Sequence, residues 1–445
     1  MRLEINNFAK IKKASISIDG ITVIAGNNNT GKSTVGKVLF SMYNSLCDIA
    51  GQVDRQRKGR LQFVCGRQLR NIFFHLENDP STSISQKMMQ SQGLISDSIC
   101  HDLMEYLSNI EPGKLTREGY KNCVESSCRN YGIELDDETV NGYIDDTYDR
   151  VVEIRDMESY RIALQLIDSY FNRVFEHQIQ NLKNHGKASI SLSIKKKKIN
   201  VMFEDNECIN WTPGVDILHH AFLVDNPFIV DELSGRFRYS RSTNIVRSYM
   251  IKSIENGFRK EDPVIETVLA KEKLKEIYKI LKEVAPGAIS VDTNEGSWTL
   301  HSQYYDDPIV FRNLSAGLKS FVLLRVLLEN GILMDKDVLV LDEPEIHLHP
   351  EWQIKYAEII VLLQKQFDLS IVVTTHSREF LEAIELFSKK YGVQEKCNYY
   401  LAYNINGEAK FKNVNDDLTE IYKLLITPSR YLDKIRFELE DDESL

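Results

Sequence analysis

Eight residues, Gly26-Asn27-Asn28-Asn29-Thr30-Gly31-Lys32-Ser33, constrain this chain more than any others. They fit G-x-x-x-x-G-K-[ST] and follow the apolar run Ile21–Ala25. After them Val35, Val38, Leu39, Met42, Tyr43 and Leu46 recur at a spacing that predicts an amphipathic helix. Strand, glycine-rich turn and helix in that order let backbone N–H groups face phosphate oxygens. The helix adds the positive end of its dipole. Lys32 is expected to bridge the β- and γ-phosphates of a nucleotide, and the Ser33 hydroxyl to bind Mg²⁺. Thr34, next in the chain, is counted with the nucleotide-binding residues.

Two further apolar runs, Val338–Leu341 and Ile371–Thr374, read as strands buried on both faces of a parallel sheet. The first ends in Asp342-Glu343, at the strand edge where ligands bind in such sheets. Asp342 is expected to hold Mg²⁺, directly or through water, and Glu343 to orient and polarise an attacking water. His376 follows the second run, about thirty residues later, placed to reach the γ-phosphate or the water. Between the runs Trp352, Tyr356, Ile359 and Leu363 mark a helix, with Pro350 suited to its first turn. Leu314–Ser320 opens another apolar helix, where Ser315 is a good cap and Gly317 permits close backbone approach.

Leu314-Ser315-Ala316-Gly317-Leu318-Lys319-Ser320 resembles the ABC-ATPase signature, usually written LSGGQ, in the LSxG form of SMC-like and repair ATPases. Glu343-Pro344-Glu345 followed by His347-Leu348-His349-Pro350 resembles the DEPE-x-HLHP stretch of OLD-like ABC ATPases. The resemblance covers about 1–46 and 215–390. It implies an α/β fold built on an ABC-ATPase head; the stretch between Walker A and the signature, which no motif of the resemblance covers, reads from its own pattern as a mainly helical insertion. The resemblance implies ATP and Mg²⁺, hydrolysis to ADP and phosphate, and a site shared between copies in a homodimer or higher even oligomer. Ser315 and Gly317 of one protomer would close over phosphates held by another. The general match is to ATPase subunits of Septu-type or retron-associated anti-phage systems, which accompany a separate nuclease. That implies a nuclease or other effector as partner. The roughly 70 residues after His376 are too few for an added Toprim nuclease and lack a D-x-D pair. The glutamine that follows the first core strands in ABC proteins is not placed; Gln52, Gln56, Gln62 and Gln68 are all candidates. His347 and His349 also invite a metal reading, but the family's equivalent stretch contacts the opposing protomer.

The rest of the chain is organised around that head, expected at 1–47 and 187–445. Residues 48–186 are polar, helical in pattern and hold only Pro80 and Pro112, so they read as an inserted helical domain. Ser189–Ile194 and Ile199–Phe203 suggest a hairpin around Lys195–Lys198, and Asn406-Gly407 suggests another near the end. The acidic tail Glu438–Glu443 is expected to be disordered.

Apolar residues make 42% and charged residues 27% of the chain, as in ordinary globular proteins. The longest apolar stretch, Phe321–Met334, is interrupted by Arg325 and Glu329, so no membrane span is expected. The start of the chain alternates like a strand, and a cytoplasmic location is expected. Seven scattered cysteines without a CxxC pair read as free thiols. A net charge of −10 argues against a surface that coats nucleic acid but leaves a local basic groove open. Two stretches could form one: Arg55, Arg57, Lys58, Arg60, Arg67 and Arg70, and Arg236, Arg238, Arg241 and Arg247 with Phe237 and Tyr239 interleaved. Nucleic acid therefore remains a possible partner, and a DNA-binding repair or SMC-like ATPase is the alternative reading. A transporter cassette is disfavoured by the long insertion.

Overall fold

The computed structural model describes residues 1–78, 92–233, 244–258, 273–292 and 296–443. They form two compact units: Met1–Cys47 with Ile167–Leu445, and Asp48–Leu166.

The first unit is an α/β head. Its strands are β1 (Arg2–Phe8), β2 (Ile11–Ser17), β3 (Ile21–Gly26), β4 (Ala188–Ile194), β5 (Lys197–Glu204), β6 (Glu207–Thr212), β7 (Ala221–Val224), β8 (Ala288–Val291), β9 (Trp298–His301), β10 (Ile309–Val310), β11 (Val338–Asp342), β12 (Ser370–Thr375), β13 (Cys397–Ile405) and β14 (Glu408–Asn413). Eleven of them make one sheet in the order β6-β5-β4-β1-β2-β14-β13-β3-β12-β11-β7, and β8–β10 make a small second one. The stretch β13-β3-β12-β11-β7 is parallel throughout. Its residues are buried on alternate faces. Ile21, Val23, Leu339, Leu341, Ile371 and Val373 face one core, while Ile24, Val338, Val340 and Val372 face the other. A strand covered on both faces reads as a nearly continuous apolar run, which is why Ile21–Ala25, Val338–Leu341 and Ile371–Thr374 stand out in the sequence.

The helices are α1 (Lys32–Leu46), α2 (Ile49–Asn78), α3 (Gln92–Asn109), α4 (Arg117–Asn130), α5 (Asp137–Asp156), α6 (Ser159–Phe175), α7 (Ile245–Phe258), α8 (Lys275–Val284), α9 (Ala316–Glu329), α10 (Pro350–Phe367), α11 (Arg378–Lys390) and α12 (Thr419–Glu443). No described helix is long and apolar enough to cross a membrane. Both expected hairpins form: Ile194 pairs with Lys197, and Ile405 with Glu408 across Asn406 and Gly407, both at positive φ. The seven cysteines carry free thiols.

Among the described residues the second unit contains helices and no strand, so an α/β head with a helical insertion between Lys32 and Leu314 is the observed architecture. Leu61, Cys65, Leu69, Leu103, Tyr120, Val124, Tyr143 and Val151 share its core. Its helix starts are capped: Thr116 Oγ1 accepts the Gly119 N–H, and Asp136 Oδ1 accepts the Thr139 N–H at 2.7 Å. The unit ends at Leu166, not at 186 as expected. Residues beyond 166 join the head because Ile167, Phe171 and Val174, one turn apart along α6, are buried with Phe8 and Phe203. The acidic tail also departs from expectation, since Glu438–Glu443 continues α12.

Candidate nucleotide site

The C-terminal ends of β3, β12 and β11 lie side by side, and each carries a chemical group. Beyond β3 the chain turns through Asn27–Gly31 into α1. Gly31 sits at the N-cap with φ 81°, a conformation that costs a side-chain-bearing residue energy. A Cβ there would also lie 2.9 Å from Ala409 Cβ. No side chain caps α1, so its first-turn N–H groups are left for an external acceptor. Asn29 is likewise left-handed, at φ 64°, and its Oδ1 accepts from Lys10 Nζ. The buried Thr30 hydroxyl donates to Asn27 O at 2.8 Å and closes the turn.

Lys32 is 4% exposed, and its ammonium is fully engaged. It donates to Gly26 O and Asn27 O, both at 2.9 Å, and pairs with Glu343 Oε1 at 3.2 Å. An ammonium has three N–H bonds to give. A phosphate oxygen arriving at Lys32 would therefore compete with the Glu343 carboxylate, the one side-chain acceptor of the three, rather than with the backbone of the turn.

Glu343 leaves β11 at φ 49°. Its N–H is shared by Thr374 O at 3.1 Å and Thr374 Oγ1 at 3.0 Å. The Thr374 hydroxyl itself donates to Asp342 Oδ1 at 2.5 Å. One threonine on β12 thus holds the Asp342 carboxylate and the Glu343 backbone, while the Glu343 carboxylate is held by Lys32. His376 Nδ1 lies 3.7 Å from Glu343 Oε1 and 3.6 Å from Glu345 Oε1.

Asn28, Asn29, Thr30, Gly31, Lys32, Ser33, Thr34 and Glu343 line one cleft of about 590 Å³, within the size range of small-molecule sites. Gly26 and Asn27 act on it through the carbonyls that hold Lys32. Ser315 and Gly317 do not line it. Ser315 is the exposed N-cap of α9, with its Oγ accepting the Leu318 N–H at 3.4 Å. Gly317 is buried, and a Cβ there would lie 2.9 Å from His347 O and 3.3 Å from the Trp352 ring. The close approach that a glycine permits at 317 is thus to the chain's own 347–352 segment. His349 caps α10, and the His347 ring packs on Phe228 at 5.4 Å. Among the described residues no group of three or more His, Cys, Asp or Glu could hold a metal ion.

These residues fit Mg²⁺ presented with a nucleotide, because that ion is usually held by one or two carboxylates together with phosphate oxygens and water. Ser33 and Asp342 would supply such a partial set.

A sequence model described as AAA ATPase domain matches residues 1–381. The chain belongs to the AAA ATPase domain family. A Clostridium acetobutylicum protein provisionally named an ABC transporter ATP-binding protein is 26% identical over 157 residues. That match covers 33% of this chain and 54% of the relative, so the chain spans about half the length of this curated relative. Among solved structures, the SMC head domain from Thermotoga maritima is 10% identical, with 93% of this chain and 98% of that one covered and a TM-score of 0.36. An Smc head bound to the C-winged helix domain of ScpA is 12% identical, with 95% and 98% covered and a TM-score of 0.40. Those scores are too low to decide the fold, which rests on the strand order and register.

Two acids just beyond the ends of β11 and β7 are not singled out by the sequence pattern. Glu345 is 2% exposed, and its Oε1 accepts the Thr375 hydroxyl at 2.6 Å and the His376 N–H at 3.0 Å. Burial pushes its carboxyl up, opposed by the Thr375 hydrogen bond and by His376. Asp225 follows β7, whose Val224 pairs with Leu341, so it ends the strand next to Asp342. Burial pushes Asp225 up too, with Arg247 and Lys37 pulling it back and Asp342 adding to the rise. The available signal for Asp225 was an apolar run, Ala221–Val224, ending in an acid just as Val338–Leu341 does. The four candidate glutamines all lie on α2, in the second unit.

Glu345 positions His376 through the backbone. Glu345→Ala is expected to lower stability by about 1–3 kcal/mol, because two buried donors lose their acceptor. Glu345→Gln keeps the accepting oxygen and is expected to recover most of that loss. Urea unfolding of both variants is the measurement; equal loss in the two would mean the carboxylate charge, not the acceptor, is what counts.

Proposed function

We propose that this chain is an ABC-type ATPase that binds Mg²⁺-ATP at Gly26–Thr34 and hydrolyses it to ADP and phosphate. The observation that carries the reading is the convergence of Lys32, Glu343 and His376 on one strand edge beside a helix N-terminus that no side chain caps. Backbone N–H groups of the loop and the Lys32 ammonium hold the β- and γ-phosphates. Ser33 and Asp342 hold Mg²⁺, with Asp225 adding a second carboxylate at the neighbouring strand end. The ion supplies charge neutralisation on the phosphates. Glu343 orients the attacking water and accepts its proton, while His376, steadied by Glu345, reaches toward the γ-phosphate. Ser315 and the α9 N-terminus of a second copy close over the phosphates.

We further propose that turnover controls a partner effector, a nuclease, in anti-phage defence. The support is the resemblance of Glu343–Pro350 to the OLD-like stretch, and the test is co-purification of the chain with the products of neighbouring genes. Recovery of no second protein would remove this part of the reading and leave the ATPase standing. In the first basic stretch Arg55, Arg57 and Arg70 are each paired with a neighbouring acid. In the second stretch Arg236, Phe237, Arg238, Tyr239 and Arg241 lie outside the described residues, and Arg247 pairs with Glu232 at 3.3 Å.

Lys32→Ala tests the phosphate site. Removing a buried, charge-assisted contact of this kind costs roughly 2–5 kcal/mol. Calorimetric titration is expected to show ATP affinity lowered by at least the lower end of that range. Unchanged affinity would remove Lys32 from the site.

A further inference from the structure

The cleft beside the phosphate loop has a second wall that phosphate chemistry does not use. Ala9, Val174, Phe175 and Leu182 line it together with the loop. The Leu182 side chain is 56% exposed, yet its backbone is fixed: its N–H donates to Ala9 O at 3.1 Å, and the Ala9 N–H donates to Ile179 O at 2.8 Å. The turn that carries this wall is also held in a costly conformation. Glu176 and His177 are both left-handed, at φ 49° and 61°. Asn206 Oδ1 locks Ile179 and Gln180 by accepting the Ile179 N–H at 3.0 Å and the Gln180 N–H at 2.9 Å. The Phe175 ring rests edge-on against Phe8 at 4.9 Å.

A rigid segment that leaves a leucine in water, in the same cleft as a phosphate cradle, has the chemistry of a nucleobase shelf. Apolar and aromatic side chains give a base a dry face to lie on, and they do so with little regard to which base it is. We propose that Val174–Leu182 is that shelf, and that the purine of the bound nucleotide lies against Leu182 and Phe175. The inference rests on the phosphate loop holding the triphosphate. Its occupant follows from continuity: a triphosphate on Asn28–Thr34 leaves its nucleoside in the remainder of the one cleft.

The test separates the base from the phosphates. The full chain and Leu182→Ala are titrated calorimetrically with Mg²⁺-ATP and with Mg²⁺-tripolyphosphate, which has no base. Wild type is expected to bind ATP more tightly than tripolyphosphate. Leu182→Ala is expected to weaken ATP by about tenfold, as loss of most of a buried leucine side chain would, and to leave tripolyphosphate unchanged. Leu182→Phe is expected to retain ATP affinity, since it restores an apolar face. Equal ATP affinity in wild type and Leu182→Ala overturns the shelf while the phosphate site stands. Equal weakening of both ligands also overturns it, because the variant then acts on the loop. Failure of wild type to bind either ligand overturns the phosphate site, and the shelf with it.

Discussion

Glu343→Gln is expected to bind ATP at least as tightly as wild type and to turn it over roughly 100- to 10,000-fold more slowly, the usual contribution of a positioned base. Both halves follow from the geometry. The side chain leaves the end of β11 in a backbone conformation set by its own N–H, which Thr374 holds through two oxygens. Glutamine has the same length and the same backbone preference, so the group stays where it was. What goes is the negative charge. In wild type that charge pairs with Lys32 at 3.2 Å and competes with phosphate for its third hydrogen. A neutral amide competes less, so nucleotide binding is not weakened. The same amide cannot accept a proton from water, so hydrolysis fails. Phosphate release and calorimetric affinity on one preparation measure both. Turnover equal to wild type would exclude Glu343 as the catalytic carboxylate, and affinity lost together with turnover would make its role structural.

The site's main frame was legible in the sequence for one physical reason. β3, β11 and β12 are covered on both faces, so their runs are almost continuously apolar, with small threonines the exceptions, and the polar residues just after each run mark the functional edge. Strands without that burden were not legible. β6 is exposed or half-exposed along its whole length, and β8–β10 are two to four residues long. Neither gives a period to read. The end of the insertion is not legible because it falls inside α6, whose apolar spacing runs unbroken through Ala163, Ile167 and Phe171 across the boundary between the two units.

Glu345 shows a different limit. In Glu343-Pro344-Glu345 the two acids look equivalent. One lies half-buried against Lys32 and the other is buried beside His376, a distinction made at the end of β12, where the Thr375 hydroxyl and the His376 N–H both donate to Glu345. Gly317 shows a third. A glycine in a helix start signals close approach, but only the fold tells that the approaching group is His347 O of the same chain.

That last point decides how sharing of the site between copies is best tested. An acid at 317 would strike the 347–352 segment of its own chain, so loss of activity in Gly317→Asp would have two causes. Lys319 is no better a probe. Its ammonium is buried, paired with Asp231 at 2.8 Å, bonded to Arg312 O at 3.1 Å and set over the Phe228 ring. What α9 has left to offer an anion is the exposed Ser315 and the N–H groups of its first turn. Ala316→Asp addresses these directly. An acid in the first turn stabilises a helix through its dipole, so the variant is expected to fold at least as well as wild type. The same charge repels a phosphate arriving from another protomer. Ala316→Asp is therefore expected to bind ATP normally and to lose hydrolysis, while Lys32→Ala loses binding. A mixed dimer of the two has one site with both defects and one with neither. An equal mixture is then expected to recover about one quarter of wild-type activity, since half of randomly paired two-fold dimers are mixed and each keeps one of two sites. Hydrolysis by the mixture and by each variant alone, with light scattering for mass, measures this. No recovery in a mixture shown to form mixed dimers, or normal hydrolysis by monomeric Ala316→Asp, would place the whole reaction within one chain.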